Sequence, residues 1–549
     1  MSGWRKAAGA GGAATALVLL AWVYGTALAA PAVGLFHDDG VYAVTAKALA
    51  TRRGYRIVSL PGEIAQTKYP ILFPALLAAV WKACPRFPDN ILWLKLVPFT
   101  GALVWVALGY WLLRVKTGSA RVAIALTGLV AISPWVLFLG TALLSETLFA
   151  AFTTGALVLL GRIERGRCGW REIAGAAVLA SAAFLTRTAG LAGIAAGAWV
   201  ILGQAGRKRA MVFLLIAAAL CAPWIGWQVS QTRAALPADP YYAVANYGDW
   251  NILFHFALGE KLRILGENLL GAWLSPAVLM GMPTTGWGTA LAILAGGLVA
   301  AGFGRRLYRP RATEILTIVY TGVVVLWAWP PKRFLAPLLP LLLLYGYEGA
   351  QSACRRFAGS ARGAVAALVA TALLFAIPGV WTLAAMTSAA RETGAVPVPN
   401  TPQDDWREMA RVVAWLNRET AGDAVLMGNL DPALYLYTGR KSVRGFRQDP
   451  YRLHYDRSDW PLGSPAEMCG AIEQTHAGYL ICTPNVAFRE SSPLDRLTRE
   501  LVRERPEFRL VYESSDTRYR IYRIPSGECA NHLGDSSNFT NGRGRLGSY

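Results

Sequence analysis

Long apolar runs recur along the first 390 residues, and they constrain the fold more than any other feature of this sequence. Most are near the ~20 residues that a helix needs to cross the hydrocarbon core of a bilayer. The chain has 549 residues, of which 54% are hydrophobic, so one ordinary soluble domain is excluded. We predict a polytopic α-helical membrane protein with about eleven transmembrane helices. The candidate spans are residues 9–32, 91–113, 122–144, 147–161, 173–186, 188–206, 210–229, 284–304, 315–330, 334–350 and 363–387.

The first run also fits a second interpretation. The stretch "TALAAPA" follows a basic start and an apolar segment, as the cleavage site of a secretory signal peptide does. Ten further candidate spans follow, and a protein of that kind needs no cleaved signal. We therefore favour a first transmembrane helix.

The cations predict how these spans are oriented, because cytoplasmic loops carry an excess of Lys and Arg. With the N-terminus inside, the short inner segments hold many cations and only four acids, Glu164, Glu172, Glu314 and Glu348. The inner cations are Arg5, Lys6, Arg114, Lys116, Arg121, Arg162, Arg165, Arg167, Arg171, Arg207, Lys208, Arg209, Arg305, Arg306, Arg309, Arg311, Arg355, Arg356 and Arg362. We predict a multi-pass protein of the bacterial inner membrane with a cytoplasmic N-terminus.

The net charge of +20 does not indicate a nucleic-acid-binding protein. Residues 1–395 hold 34 Lys and Arg against 14 Asp and Glu, whereas residues 396–549 hold 20 of each. The excess therefore reflects membrane topology and a cationic outer face. We predict membrane lipids as neighbours and no nucleic-acid partner.

Composition turns polar after the last candidate span, at "RETGAVPVPNTPQ". Beyond it, "DDWREMARVVAWLNRET" has apolar residues at helical spacing, and "DAVLMGN", "HAGYLICT" and "FRLVYESSDTRYRIYRI" have strand patterns, the last as a hairpin. Helices alternating with strands favour a small α/β module. We predict a transmembrane domain over residues 1–390, a periplasmic α/β domain over residues 391–525 and a polar, glycine-rich disordered tail over residues 526–549.

Charged residues persist beside the apolar runs at four places, and such charges usually mark a pathway or a site. The first place lies in a predicted amphipathic outer loop, at "FHDDGVYAVTAKALATRRG". The four places are Asp38 with Asp39, Lys68, Glu146 with Arg187, and Lys332 with Arg333. In the predicted topology all four meet one membrane surface, so we expect them to form one site.

Each place also has a structural alternative. Asp39 fits the N-cap of the helix that follows, and Lys332 and Arg333 fit interfacial anchors whose stems cover apolar surface. Glu146 fits a simple ion pair with a nearby cation. Arg187 is harder to explain structurally, because "FLTRTAGLAG" is a predicted tight hairpin between two apolar spans and an uncharged residue could have stood there. The shared surface is what favours a functional site.

An external carboxylate among cations suits sugar transfer from a polyprenyl-phosphate donor. The lipid tail stays in the bilayer, the anionic phosphate needs Lys or Arg, and an acceptor hydroxyl needs a base. No phosphate-binding loop motif occurs, and the glycines of "GLAGIAAG" match helix packing better than a dinucleotide loop. The residues thus predict a glycosyltransferase that uses a lipid-linked sugar.

The sequence resembles the type C glycosyltransferases, in particular the bacterial relatives of the protein O-mannosyltransferases and of the lipid A aminoarabinose transferase. The matching motifs are "DDGVY", "TKYPILFP", "LLSETLF", "FLTRTAGL", "KRFLAPLLPLLLL" and, near the end, "ALYLYTGRK". Each pattern is weak alone, but their order on one predicted face is fairly specific. The resemblance covers most of the chain.

This resemblance implies a role for several residues. Asp38 corresponds to the catalytic base, with Asp39 orienting Asp38 or the acceptor, and Lys68 and Arg333 correspond to ligands of the donor phosphate. Arg187 and Lys332 are further candidate phosphate ligands, and Glu146, Tyr42 and Tyr69 are candidate supporting residues. One departure concerns the motif around Lys68: relatives of the aminoarabinose transferase often have an acid before the lysine and two prolines after it, whereas Thr67 and Tyr69-Pro70 stand here. Donor and acceptor specificity are therefore not implied.

The implied reaction is a single displacement with inversion, in which Asp38 takes the acceptor proton and Lys68 and Arg333 stabilise the departing phosphate. A carboxylate is a weak base toward an alcohol, so proton transfer should come late. No cofactor is predicted. Metal assistance by His37, Asp38 and Asp39 is a less favoured alternative, because three consecutive residues rarely ligate one ion well.

Two other classes of function stay open at this stage. A transporter or flippase of lipid-linked sugars also has many spans, but it should show internal repeats and ionisable groups deep in its spans. A non-catalytic scaffold would use its outer domain for binding. The sugar and the hydroxyl acceptor, whether lipid, glycan or protein, cannot be identified from the residues.

Overall fold

The structure, a computed structural model, describes residues 2–235, 257–327, 329–358, 360–401, 404–444, 464–484 and 491–525. The chain divides into two compact units. One contains residues 1–58 and 63–407, and the other contains residues 59–62 and 408–549. This division falls after Arg407, some way beyond the predicted boundary at residue 390. The tail predicted to be disordered, residues 526–549, lies outside the described residues.

Helices form nearly all of the first unit. In chain order they are α1 (Ser2–Ala29), α2 (Asp38–Ala50), α3 (Leu72–Ala83), α4 (Ile91–Thr117), α5 (Ala120–Ala131), α6 (Pro134–Thr141), α7 (Glu146–Ile163), α8 (Trp170–Thr186), α9 (Leu191–Ala205), α10 (Arg207–Ala235), α11 (Leu258–Val278), α12 (Trp287–Leu307), α13 (Ala312–Val325), α14 (Leu339–Ala358) and α15 (Ser360–Thr393). Two 3-10 segments, Thr188–Gly190 and Arg333–Leu338, lead into α9 and α14.

Six of the described helices are long and apolar enough to cross a membrane, and a seventh span results when the bent pair α5 and α6 is counted as one. Shorter apolar helices lie in α1, α3 and α13. The predicted span over residues 122–144 is this bent pair, with an angle of 59° between its halves. The break occurs because Ser133 caps α6, accepting from the Val136 N–H, and Pro134 opens the new helix. A multi-pass helical membrane protein is therefore confirmed, while the number eleven stays a prediction.

The first loop differs in character from the predicted amphipathic segment. Helix α2 buries every residue from Asp39 to Ala46, so its first two turns present no polar face to solvent. Its core side chain is Tyr42, whose ring lies 4.6 Å from the ring of Tyr69 and 4.9 Å from that of Phe73. The helix begins at Asp38 with His37 at the N-cap, so Asp39 lies inside the first turn and not at the cap position.

Close helix packing depends on glycine at two positions. A Cβ on Gly302 of α12 would lie 1.9 Å from the carbonyl oxygen of Tyr345, and one on Gly349 of α14 would lie 2.0 Å from that of Leu298. The backbones of α12 and α14 therefore touch directly, which is the small-residue packing typical of membrane helices.

The second unit contains a five-stranded mixed sheet with strand order β2-β1-β3-β5-β4. The strands are β1 (Val425–Gly428), β2 (Ser442–Val443), β3 (Ala477–Cys482), β4 (Arg509–Glu513) and β5 (Arg520–Arg523). Strand β1 pairs in parallel with β2 and β3, whereas β5 runs antiparallel to β3 and β4. The helices of this part are α16 (Trp406–Glu419), α17 (Asp431–Thr438), α18 (Pro465–Thr475) and α19 (Ser491–Glu504).

Candidate active site

Four of the charged residues predicted to form the site stand at the ends of helices. Asp38 is the first residue of α2, Glu146 is the first residue of α7, Arg187 follows α8, and Arg333 opens the 3-10 segment before α14. Carboxylates are favoured in the first turn of a helix, where the N–H groups give a partial positive charge. Helix ends thus bring both signs of charge to one place.

Arg187 is positioned by a tight turn between α8 and α9. The Arg187 N–H donates to the Ala183 carbonyl at 2.9 Å, and the Gly190 N–H donates back to the Arg187 carbonyl at 2.8 Å. A Cβ on Gly190 would lie 2.3 Å from the backbone nitrogen of Phe184, so only glycine allows this turn to fold so closely against α8.

Asp38 is held by two hydrogen-bond donors and one further cation, which come from two other segments. The Tyr69 hydroxyl donates to Oδ1 at 2.5 Å, and the Lys68 Nζ lies 3.8 Å from the same oxygen. The Arg333 Nη2 donates to Oδ2 at 2.6 Å. The carboxylate is 17% exposed, so it is accessible as well as anchored. Both oxygens of Asp38 are therefore occupied in the structure.

The pKa of Asp38 reflects this crowding. Burial alone would raise the pKa of the carboxyl, but the charges of Lys68 and Arg333 and the hydrogen bonds from Arg333 and Tyr69 hold it well below its usual range. The group is consequently an anion throughout the physiological pH range. While it keeps these partners, it is a poor proton acceptor.

Glu146 extends the charge network further inward. Its side chain is 2% exposed, and its Oε1 lies 2.9 Å from the Arg333 Nε and 3.0 Å from the Arg187 Nη1. These contacts are close ion pairs that do not meet hydrogen-bond angles, and Oε2 has no hydrogen-bond donor among the described residues. Arg333 thus bridges two carboxylates, one partly open and one buried.

The complete network alternates in sign: Lys68, Asp38, Arg333, Glu146 and Arg187. Three cations face two carboxylates, which leaves one positive charge without compensation inside the network. A low-dielectric setting strengthens such charges. The arrangement therefore favours an anionic ligand.

Aromatic rings fix the planes of the two guanidinium groups. Arg333 lies over the ring of Phe36 at 4.5 Å and over that of Phe334 at 5.1 Å, and Arg187 lies 5.4 Å from the Phe334 ring. Such cation–π contacts are stronger where water is excluded. They orient Arg333 in a way that a lysine side chain would not reproduce.

Tyr42 and Tyr69 connect the network to its surroundings. The Tyr42 hydroxyl is 2.9 Å from the Ser145 Oγ, which also accepts from the Arg187 Nη1 at 3.1 Å. The Lys68 Nζ lies 4.5 Å above the Tyr69 ring. Both tyrosines therefore make contacts with the site, and Tyr69 makes its contact with Asp38 directly.

Asp39 faces the preceding loop. Its Oδ2 accepts from the Gly34 N–H at 2.6 Å and its Oδ1 accepts from the Gly40 N–H at 2.9 Å. Burial raises the pKa of its carboxyl to about 6, against the lowering effect of these two N–H groups. His37, between Phe36 and the acidic pair, has φ of 62°, a left-handed conformation that non-glycine residues seldom adopt. Asp39 thus fixes the shape of the loop that presents Asp38.

Lys332 is the one predicted phosphate ligand that the network does not include. Within the part of the chain that the structure describes, no carboxylate lies within ion-pair distance of its side chain, although it directly precedes Arg333. Partial burial lowers the pKa of its ammonium group.

Three participants were not predicted from the sequence: Ser145, Phe36 and Phe334. Ser145 directly precedes Glu146 and the two phenylalanines flank predicted charges, so adjacency was the available signal. Periodicity gave none, because aromatic residues beside apolar spans are common.

Among the described residues, no three His, Cys, Asp or Glu side chains lie close enough together to hold a metal ion. His37, Asp38 and Asp39 do not form such a group there. The groups that the site offers to a ligand are a partly open carboxylate and its cations.

No family model and no curated protein matches the sequence. Solved structures do match. The lipid A aminoarabinose transferase ArnT of Cupriavidus metallidurans, in the apo state, has a TM-score of 0.53 at 12% identity, and the match covers 94% of this chain and 98% of that one. The undecaprenyl-phosphate complex of the same ArnT has a TM-score of 0.53 at 13% identity with the same coverage.

An oligosaccharyltransferase of Archaeoglobus fulgidus, tethered to an acceptor peptide that contains an NVT sequon, has a TM-score of 0.51 at 13% identity. That match covers 93% of this chain and 74% of the other. These identities are low, so the likeness concerns the fold. The predicted type C glycosyltransferase fold is confirmed.

Proposed function

We propose that the chain is an integral-membrane glycosyltransferase that moves a sugar from a polyprenyl-phosphate carrier to a hydroxyl group at the outer face of the inner membrane. The observation that carries this proposal is the alternating network in which Arg333 joins Asp38 to Glu146. The fold adds support, because ArnT, which shares it, has been solved with undecaprenyl phosphate.

The cations of the network suit a lipid-linked phosphate. Arg333 has a planar fork that matches phosphate oxygens, and Lys68 supplies a mobile point charge. Lys332 adds a cation that no described carboxylate neutralises. The polyprenyl tail would remain in the bilayer while these groups hold the anion at its surface.

Donor binding would also activate the base. In the structure Arg333 and Lys68 lower the proton affinity of Asp38. When the donor phosphate draws these two cations toward itself, the pKa of Asp38 rises toward its ordinary value. The carboxylate then becomes a better proton acceptor only after the donor is in place.

The chemical step is a direct displacement. The acceptor oxygen forms a bond to the anomeric carbon while the bond from that carbon to the phosphate oxygen breaks. The electron pair leaves with polyprenyl phosphate, whose negative charge Arg333 and Lys68 stabilise, and the hydroxyl proton passes to Asp38. One displacement inverts the anomeric configuration.

Topology follows the positive-inside pattern. We place the N-terminus in the cytoplasm, and the Asp38 network and the second unit on the outer side. The basic segments after α4, α7, α9, α12 and α14 support this orientation, because cations concentrate at the inner ends of membrane helices.

Proteoliposomes with a labelled polyprenyl-phosphate sugar test the proposal. We expect label to appear on a hydroxyl acceptor from an envelope extract, dependent on the protein and on Asp38. Movement of labelled lipid between leaflets without product would instead indicate a transporter. Binding of donor or acceptor with neither outcome would indicate a scaffold.

A further inference from the structure

A second charged region lies far from the Asp38 network, at the other end of α7. Arg162 is near the end of this helix, about 24 Å from Glu146 at 1.5 Å per residue. Here a cavity of about 800 Å³ is bounded by α4, α7, α12 and the start of α13. The transfer reaction does not use it.

The floor of this cavity is a fixed, buried charge cluster. The Lys116 Nζ donates to the Thr313 Oγ1 at 2.9 Å and lies 4.0 Å from a Glu164 oxygen. The other oxygen of Glu164 accepts from the Ala312 N–H at 2.6 Å. Arg306 lies 3.6 Å from Glu314, whose side chain is 1% exposed. These contacts tie α4, α7, α12 and α13 together.

The walls carry a large excess of positive charge. Beyond Lys116 and Arg306, the lining includes Arg162, Arg165, Arg305, Arg309 and Arg311, while its only acids are Glu164 and Glu314. Arg306 also pairs with Glu348, which lies outside the lining. Arg305 contacts the Ser352 hydroxyl. For the other four arginines, no carboxylate of the described chain lies within ion-pair distance. An anion bound among them would offset their mutual repulsion.

An apolar groove runs from this cavity along the lipid-facing surface. It has a volume of about 910 Å³ and lies between α3, α4, α7 and α8, with Val104 and Phe152 among its lining residues. Leu108, Val158 and Arg162 line both the groove and the cavity, so the two are continuous. Arg162 is the one charged residue of the groove and stands where the cavity begins.

We infer that the cavity and groove together bind one anionic glycerophospholipid of the cytoplasmic leaflet. Its phosphate group meets the unpaired arginines, whose planar forks bind phosphate oxygens bidentately. Its acyl chains lie in the groove, where only one lining residue is charged. Basic pockets between membrane helices on the cytoplasmic side are known to recognise lipid head groups. The assignment of the cavity to the cytoplasmic leaflet rests on the proposed topology. Lipid binding in the cavity does not depend on sugar transfer.

A competing explanation for lipid binding is loose electrostatic attraction of any anionic lipid to a basic surface. A substitution at Gly161 distinguishes this attraction from binding inside the cavity. Gly161 lines the cavity, and a Cβ there would meet only the tip of Arg165, at 4.0 Å. Gly161→Leu therefore adds apolar volume at the cavity wall, with room for its Cβ, and does not change the charge. Arg162→Gln with Arg309→Gln removes two cavity charges, and Arg207→Gln with Lys208→Gln removes two charges outside it.

Native mass spectrometry of the full chain in detergent, titrated with phosphatidylglycerol, phosphatidylcholine or polyprenyl phosphate, measures the binding. We expect the parent to prefer phosphatidylglycerol to phosphatidylcholine, and we expect polyprenyl phosphate, whose proposed site is the Asp38 network, to bind the parent and Arg162→Gln/Arg309→Gln equally. Arg162→Gln/Arg309→Gln should weaken that binding about 10- to 100-fold, as removal of charge-assisted hydrogen bonds does. Gly161→Leu should weaken it at least about tenfold, and the control pair should stay within about twofold of the parent.

Four results would overturn the inference. Three of them are equal binding of phosphatidylcholine, an equal loss of polyprenyl-phosphate binding in Arg162→Gln/Arg309→Gln, and an equal weakening in the control pair. Parent-like binding by Gly161→Leu, with an unchanged melting temperature, would also overturn it. If Gly161→Leu does not fold, Arg162→Gln/Arg309→Gln and its control pair still test whether the lipid binds in the cavity. Failure of sugar transfer would leave all of these binding results unaffected.

Discussion

Replacing Arg333 by lysine tests the network at its centre. The change keeps the charge but removes the planar fork that reaches the Asp38 Oδ2 at 2.6 Å and the Glu146 Oε1 at 2.9 Å. A lysine ammonium is unable to take both positions and also lie flat over the Phe36 ring. An alanine is less informative, because breaking a buried ion pair costs about 3–5 kcal/mol and threatens folding.

The expected magnitude follows from the hydrogen bond that a lysine side chain does not replace. One charge-assisted hydrogen bond contributes roughly 1.5–3 kcal/mol, equivalent to about 10- to 100-fold in donor affinity or rate. Arg333→Lys should therefore reduce donor affinity or rate by that factor, with the melting temperature lowered by only a few degrees. Donor-phosphate binding and initial transfer rates in nanodiscs measure it.

The control is Arg86→Lys, at an exposed arginine in the loop between α3 and α4. We expect this variant to match the parent. If Arg333→Lys also binds donor and turns over within about twofold of the parent, Arg333 acts as an interfacial anchor and the bidentate phosphate contact is wrong.

Three further predictions concern neighbouring groups and topology. Tyr69→Phe removes the 2.5 Å donor to Asp38 and should reduce turnover about tenfold in the same rate assay. The Asp39 carboxyl has a pKa of about 6 in the fold against about 4 when unfolded, so the folded state binds more protons between these values. Stability should therefore fall as pH rises from about 4 to 6, a trend that Asp39→Asn abolishes in melting curves; an unchanged trend would contradict the burial argument. Reporter fusions after Arg209 and after Asn400 should report opposite sides, and a shared side would reject the topology.

The sequence predicted that the charged residues of the network lie close together, because the predicted orientation of the transmembrane helices assigns their ends to one surface. Lys68, Glu146, Arg187 and Arg333 are far apart in the chain, yet each adjoins a helix that ends on the same predicted side, and the structure brings them within a single network. The meeting of these residues agrees with the predicted topology, which assigns their helix ends to one surface.

The sequence did not predict the finer geometry. Asp39 looked like an N-cap, but the left-handed His37 starts α2 one residue earlier and turns Asp39 toward Gly34 and Gly40. Lys332 and Arg333 are adjacent, yet only Arg333 joins the network, because the start of a 3-10 segment separates the directions of consecutive side chains. Such choices depend on local backbone angles that residue patterns do not encode.

The break within the predicted span over residues 122–144 was not predicted from the sequence either. Hydropathy treats residues 122–144 as one run, but Ser133 and Pro134 divide it into two helices at 59°. The available signal for a helix break was a capping serine directly before a proline, and the mean hydropathy of the run does not reveal it.

Asp38→Asn, compared with Asp89→Asn, tests the central claim most directly. Asp89 is an exposed carboxylate in the loop between α3 and α4, so its replacement makes the same chemical change away from the network. In one preparation, donor affinity and turnover of labelled sugar should both be measured. We predict that Asp38→Asn lowers turnover by roughly 10²–10⁴, the usual contribution of a general base, with donor affinity within about tenfold of the parent. Parent-like turnover by a folded Asp38→Asn protein would contradict the assignment of Asp38 as the base.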